Sequence, residues 1–93
     1  MTTIIVFSET EDGENWAKSW KDGEGNRHEM FGKIGIKCRT FRDTNNHTST
    51  GVLFDIPDMT AFETLLETDE IKQAMAEDGL KLETFRMLTE FTP

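Results

Sequence analysis

The sequence has a single cysteine and few basic residues, and each shortage excludes a class of site. Cys38 alone cannot form an intramolecular disulfide or a paired-cysteine metal knuckle. Lys and Arg number 10 against 18 Asp and Glu, which gives a formal net charge of −8. Nucleic acids and anionic membranes bind clustered basic residues. We therefore expect no metal, no nucleic-acid partner and no membrane partner.

Long apolar runs and a nucleotide-binding glycine motif are also missing. No stretch approaches the length of a membrane span, and the first residues lack the basic and apolar regions of a signal peptide. Gly23-Glu24-Gly25 has no preceding strand and no third glycine of the dinucleotide fingerprint. These observations predict a cytoplasmic protein that uses no cofactor.

What is present is enough for one small core. The 93 residues predict a single domain over residues 1–93, and seven Phe with two Trp supply large apolar side chains. A domain of this size buries a modest fraction of its surface, so pairing with a second copy would add to its stability.

The apolar pattern predicts six elements in the order βαββαβ. Two helices are expected, one broken by the glycine-rich run Asp22 to Asn26 and ending at Gly35, the other opening with a capping box, Thr60 to Glu63, and ending at Gly79. Thr68 is positioned to cap a second stretch of that helix. The strands are predicted at Thr3 to Ser8, Ile36 to Asp43, Ser49 to Ile56 and Leu80 to Phe91.

An internal repeat supports this order. The segment Gly35 to Arg42 aligns with Gly79 to Arg86, with five of eight positions identical. Two similar βαβ halves are typical of a ferredoxin-like α+β fold, in which a four-stranded antiparallel sheet carries two helices on one face.

The other face of such a sheet needs a cover. Alternation along the strands places Phe41, Phe85 and Met87 on this second face, with Leu82 and Thr84 toward the helices. This is more apolar surface than a monomer usually leaves exposed. We expect a homodimer in which two sheets pack face to face.

The chain resembles the dimeric α/β-barrel superfamily, which includes antibiotic-biosynthesis-monooxygenase-like proteins. The resembling residues cover most of the chain: Phe41-Arg42-Asp43, Asn45-Asn46, Gly51 to Ile56, Pro57-Asp58-Met59, Phe62 to Leu66, Glu70 to Met75 and Asp78-Gly79-Leu80. The resemblance implies a ligand cavity between helices and sheet, and a cofactor-free monooxygenase or isomerase as one function. An uncharacterised branch fits the residues best.

Four residues are candidate ligand contacts. Trp16 and Trp20 lie one helical turn apart, where they either stack on an aromatic ligand or belong to the core. His28 is the candidate for acid or base chemistry, with a surface role as the alternative. Arg42 either binds a carboxylate in a pocket, or it ends its strand at the surface or pairs with nearby Asp43.

The resulting expectation is a homodimeric protein that binds a small apolar or aromatic molecule, with a cofactor-free monooxygenase-like or isomerase-like enzyme as one form of that function. The alternative is a non-enzymatic regulatory or assembly module with the same fold.

Overall fold

A computed structural model describes residues 2–21 and 26–93, and it shows an α+β fold. The strands are β1 (Thr2–Thr10), β2 (Lys37–Arg42), β3 (Ser49–Ile56) and β4 (Leu80–Thr89). The helices are α1 (Gly13–Ser19), α2 (Arg27–Gly32), α3 (Met59–Leu66) and α4 (Asp69–Glu77). None of the helices in the described ranges is long and apolar enough to cross a membrane.

The four strands form one antiparallel sheet in the order β2-β3-β1-β4. Strands β1 and β3 are central, with Ile4 opposite Phe54 and Val6 opposite Val52. This order is compatible with the ferredoxin-like arrangement that the repeat predicts. Each of the two helical connections, from β1 to β2 and from β3 to β4, contains two short helices in place of the one helix expected there.

Local capping explains where the helices begin. Each helix follows a residue whose side chain accepts hydrogen bonds from backbone N–H groups of that helix. These capping residues are Asp12, Asn26, Asp58 and Thr68. Thr68 divides the second connection as expected, because its hydroxyl also donates to the carbonyl of Leu65 at 2.7 Å. The predicted capping box at Thr60 is wrong, since Asp58 caps α3 two residues earlier.

In the first helical connection, α1 ends at Ser19 and α2 begins at Arg27. Most of the glycine-rich run, residues 22–25, lies outside the described residues. Gly35 and Gly79 both have positive φ, 77° and 69°, which permits the left-handed turn at the end of each connection.

All four helices pack on the same face of the sheet. Trp16, Phe31, Phe62 and Ile71, one from each helix, join alternate residues of β1 and β3 in a single buried cluster. The sheet contributes Ile4, Val52, Phe54 and Ile56 to it. The opposite face of the sheet carries no helix among the described residues.

An irregularity in β4 overturns the predicted faces of that strand. Phe7 pairs with Arg86 and Glu9 pairs with Lys81. Between these two pairs, β4 advances by five residues while β1 advances by two, which forms a bulge in β4. The Thr84 hydroxyl spans the gap, accepting from the Glu9 N–H at 2.8 Å and donating to the Lys81 carbonyl at 2.6 Å.

Because of this bulge, Phe85 and Met87 lie on the helix side rather than on the free face. Met87 pairs with Val6, whose side chain points toward the helices. Phe41, which occupies the same repeat position as Phe85, lies on the free face as predicted, because β2 pairs with β3 without a shift.

Candidate functional site

A cavity of about 310 Å³ lies between the helices and the sheet. Every helix contributes to its wall, and so do β1, β3 and β4. This volume lies at the lower end of the range typical of small-molecule sites.

Aromatic rings form a large part of the wall, contributed by Trp16, Trp20, Phe31, Phe54, Phe62 and Phe85. Trp20 stacks on Phe31 with an interplanar angle of 9° and ring centroids 5.9 Å apart. Phe31 in turn contacts Phe54 and Phe62, whose centroids lie 5.0 Å and 6.5 Å from its own. The helices and the sheet thus share one connected aromatic surface.

The cavity opens toward β4, one of the two edge strands of the sheet. Its lining residues from the interior of the fold are buried, with Phe62 2% and Ile71 3% exposed. Those from β4 are not: Leu82 is 60%, Met87 51% and Phe85 37% exposed. The bulge in β4 therefore leaves apolar side chains at the mouth, where a molecule from solvent would first meet the cavity.

Ser8 places a hydroxyl in the sheet floor of the cavity. It is 8% exposed, and its Oγ lies 3.2 Å from the Thr50 Oγ1 on the neighbouring strand. Thr50 also donates to the Ser8 carbonyl oxygen at 3.0 Å. The Ser8 hydroxyl is the polar feature of an otherwise apolar sheet floor, and Thr50 is its partner outside the lining.

Arg27 and Asp78 form an ion pair in the cavity wall. The guanidinium donates from Nε to Oδ2 at 3.0 Å and from Nη2 to Oδ1 at 2.9 Å. Both side chains are buried, 12% and 4% exposed. The hydrogen bond to Asp78 raises the pKa of Arg27 above its ordinary value, while burial opposes it. The pair is bidentate and brings a full positive and a full negative charge together.

The two tryptophans lie between the helices and the sheet. Both line the cavity, and Trp16 is also buried in the core. Core packing and contact with a ligand are therefore compatible roles for this pair.

His28 and Arg42 are not among the residues that line the cavity. The His28 ring packs edge-on against Trp20, with centroids 5.2 Å apart. Arg42 donates to Glu14 Oε1 at 3.3 Å and to the Gly13 carbonyl oxygen at 3.4 Å, at the start of α1. The acid that pairs with this arginine is therefore Glu14, not the nearby Asp43 that the sequence analysis named.

Several lining residues escaped the sequence analysis. Ser8 and Asp78 were not identified as site residues, and Phe85 and Met87 face the cavity only because of the β4 bulge, whereas Leu82 lies on the helix side as predicted. The Thr-Phe-Arg runs of the two halves are identical, so the sequence carried no signal that this threonine bridges a bulge only in β4.

Cys38 lies on the helix side of β2 and is partly buried. Burial, followed by the nearby Asp55, raises the pKa of its thiol to about 12. The group is therefore protonated and unreactive near neutral pH. Within the described residues, no cluster of three or more His, Cys, Asp and Glu side chains could hold a metal ion.

Comparison of the chain with models of protein families, with curated proteins and with solved structures gave no significant match.

Proposed function

We propose that this protein binds a small apolar molecule in the cavity between helices and sheet. The observation that carries the proposal is the cavity itself, which combines a continuous aromatic wall with a mouth of exposed Leu82, Phe85 and Met87. Exposed apolar side chains around a preformed cavity are energetically unfavourable in the free protein, because they contact water. A ligand that covers them removes this unfavourable contact.

The lining favours binding over catalysis as the primary role. Among the described lining residues, the ionisable groups are Arg27 and Asp78, and they are paired with each other. Acid or base chemistry requires a titratable group within hydrogen-bond reach of the substrate. A cofactor-free oxygenase or isomerase, as the resemblance implies, remains the enzymatic version of this proposal, with His28 acting after a movement of Trp20.

Titration with N-phenyl-1-naphthylamine, a neutral dye that fluoresces in apolar surroundings, tests the proposal. The matched variants are Ala74→Leu, which extends a buried lining side chain into the cavity, and Ala76→Leu, which alters an exposed position of the same helix. We expect saturable binding by the wild type and by Ala76→Leu, and at least tenfold weaker binding by Ala74→Leu.

Circular dichroism shows whether each variant is folded. If Ala74→Leu does not fold, Met75→Phe provides a second variant with a larger side chain in the cavity, called here a filling variant. Equal dye affinity in wild type and in folded filling variants would contradict the proposal.

We also propose that the protein is a homodimer of the dimeric α/β-barrel type, with ferredoxin-like subunits whose free sheet faces pack together. Phe7, Gly51 and Phe41 form one row across this face, followed by a row with Leu88, Ile5 and Leu53. Phe7, Phe41 and Leu88 are 38%, 43% and 45% exposed in one subunit. A second copy would bury them.

Charge supports self-association at this face in particular. Among the residues that the strand registers pair, four basic and two acidic residues lie on it, whereas the whole chain has 10 basic and 18 acidic residues. The basic residues are Lys37, Arg39, Lys81 and Arg86, and the acidic ones are Glu9 and Asp55. Two strongly acidic proteins repel least where both signs are present.

Light scattering coupled to size-exclusion chromatography tests the dimer. Phe41→Glu should shift the mass from dimer to monomer, because it places two unpaired charges in the apolar interface. Phe91→Glu changes an equally large side chain, 84% exposed beyond the end of β4, and should leave the dimer intact. A wild-type monomer would contradict the dimer proposal. A dimer without dye binding would favour the assembly module.

A further inference from the structure

The hydrogen-bond pattern at Ser8 defines which kind of molecule the cavity accepts. A hydroxyl has one hydrogen to donate and two lone pairs with which to accept. The bond between Thr50 Oγ1 and the Ser8 carbonyl oxygen, 3.0 Å long, must be donated by Thr50, because a carbonyl oxygen only accepts.

The hydrogen of Thr50 is thereby used. The second bond, 3.2 Å between the two hydroxyl oxygens, is then donated by Ser8 and accepted by Thr50. Ser8 has no hydrogen left for a ligand, but its Oγ keeps lone pairs at the cavity floor. Thr50 is 4% exposed and is not among the residues that line the cavity, so it acts on a ligand only through Ser8.

The charged groups of the wall add no requirement for a charged ligand. Both oxygens of Asp78 accept from Arg27, so the two charges compensate each other. An ionic ligand would have to lose its hydration in a largely apolar cavity without a free counter-charge, which is costly.

We infer that the cavity selects a neutral apolar molecule that carries one hydrogen-bond donor, such as a phenol, an alcohol or an N–H group, and that Ser8 Oγ accepts from it. This inference rests on the proposed small-molecule binding. A site built to accept a hydrogen bond discriminates against a ligand of the same shape without the donor, because that ligand gives up one bond.

Three naphthalenes of similar size test it by calorimetric titration: 2-naphthol as donor, 2-naphthaldehyde as acceptor only, and 2-fluoronaphthalene as shape control. In the wild type, the ratio of the 2-naphthol affinity to the 2-fluoronaphthalene affinity should exceed that in Ser8→Ala by roughly three- to tenfold. Taking the ratio removes the effect of a general change in the cavity.

Thr50→Val provides a second signature that a merely structural role of Ser8 would not give. Without its acceptor, the Ser8 hydroxyl is free to donate, so 2-naphthaldehyde should gain affinity by roughly three- to tenfold while 2-naphthol keeps its own. Valine suits the strand position.

The outcomes separate the two levels of the proposal. Suppose that 2-fluoronaphthalene binds, and that the ratio of the 2-naphthol affinity to the 2-fluoronaphthalene affinity is the same in wild type and Ser8→Ala. That result would overturn the inference and leave the proposed binding function standing. Failure of all three molecules to bind would overturn both. If Ser8→Ala does not fold, the 2-naphthaldehyde gain in Thr50→Val decides, and its absence overturns the inference.

Discussion

Removal of Asp78 should destabilise the fold far more than removal of any exposed acid. Asp78→Asn keeps the size of the side chain but leaves the Arg27 guanidinium without its bidentate partner. Breaking a buried ion pair on one side costs about 3–5 kcal/mol, because a charge remains buried and uncompensated. Glu77 stays 3.4 Å from Arg27 Nη2 and is half exposed, so we expect the lower end, about 3 kcal/mol.

Urea unfolding followed by tryptophan fluorescence measures this free energy, since Trp16 and Trp20 lie in the same cavity wall. The double variant Arg27→Met with Asp78→Asn should cost less than the sum of the two single variants, by about 2 kcal/mol or more. The coupling arises because the double variant leaves neither charge buried alone.

An exposed ion pair of the same chemistry serves as the control. Arg42 Nη1 and Glu14 Oε1 lie 3.3 Å apart, with side chains 30% and 70% exposed. Glu14→Gln should cost less than about 1 kcal/mol. A cost below about 1 kcal/mol for Asp78→Asn, or additivity in the double variant, would refute the argument that burial makes this pair structurally important.

Four further variants or reactions test local features. Gly13→Ala should destabilise the fold by about 1–3 kcal/mol in urea unfolding, because the His47 carbonyl oxygen occupies the space of the new methyl group. Thr10→Val should be neutral or stabilising by about 1 kcal/mol, since the buried Thr10 hydroxyl has no hydrogen-bond partner in the described part of the chain. Thr84→Val should cost about 1–2 kcal/mol in unfolding free energy, because it removes the bridge across the β4 bulge, and an unchanged midpoint would count against that role. Cys38 should react with a disulfide reagent at least tenfold more slowly in the native state than in urea at pH 8, because the raised thiol pKa keeps thiolate scarce until the pH nears 12; equal rates would contradict it.

The order of strands was accessible from sequence because it depends on local pattern. Alternation, β-branched runs and glycines at Gly35 and Gly79 mark where the elements end, and the repeat shows that the two halves correspond. The helix boundaries were less accessible. Asp58 and Thr60 both offer oxygens suited to an N-cap, and only the backbone path decides which one accepts.

The faces of β4 were beyond the reach of sequence reasoning. The bulge depends on β1 contributing the Glu9 N–H to the Thr84 hydroxyl, and these residues are 75 positions apart. A rule of strict alternation therefore assigned Phe85 and Met87 to the free face. The same error hid the apolar mouth of the cavity, although the tryptophan pair in its wall was identified.

The most direct test of a ligand-binding cavity is a methyl NMR titration of protein labelled at methionine with carbon-13, using 2-naphthol. Met75 and Met87 line the cavity, whereas Met30 and Met59 pack elsewhere on the core. We expect ring-current shifts of the first two methyl signals that saturate together, with the other two nearly unchanged. Saturable shifts confined to Met30 or Met59, or no saturable shift of any methionine, would contradict the account.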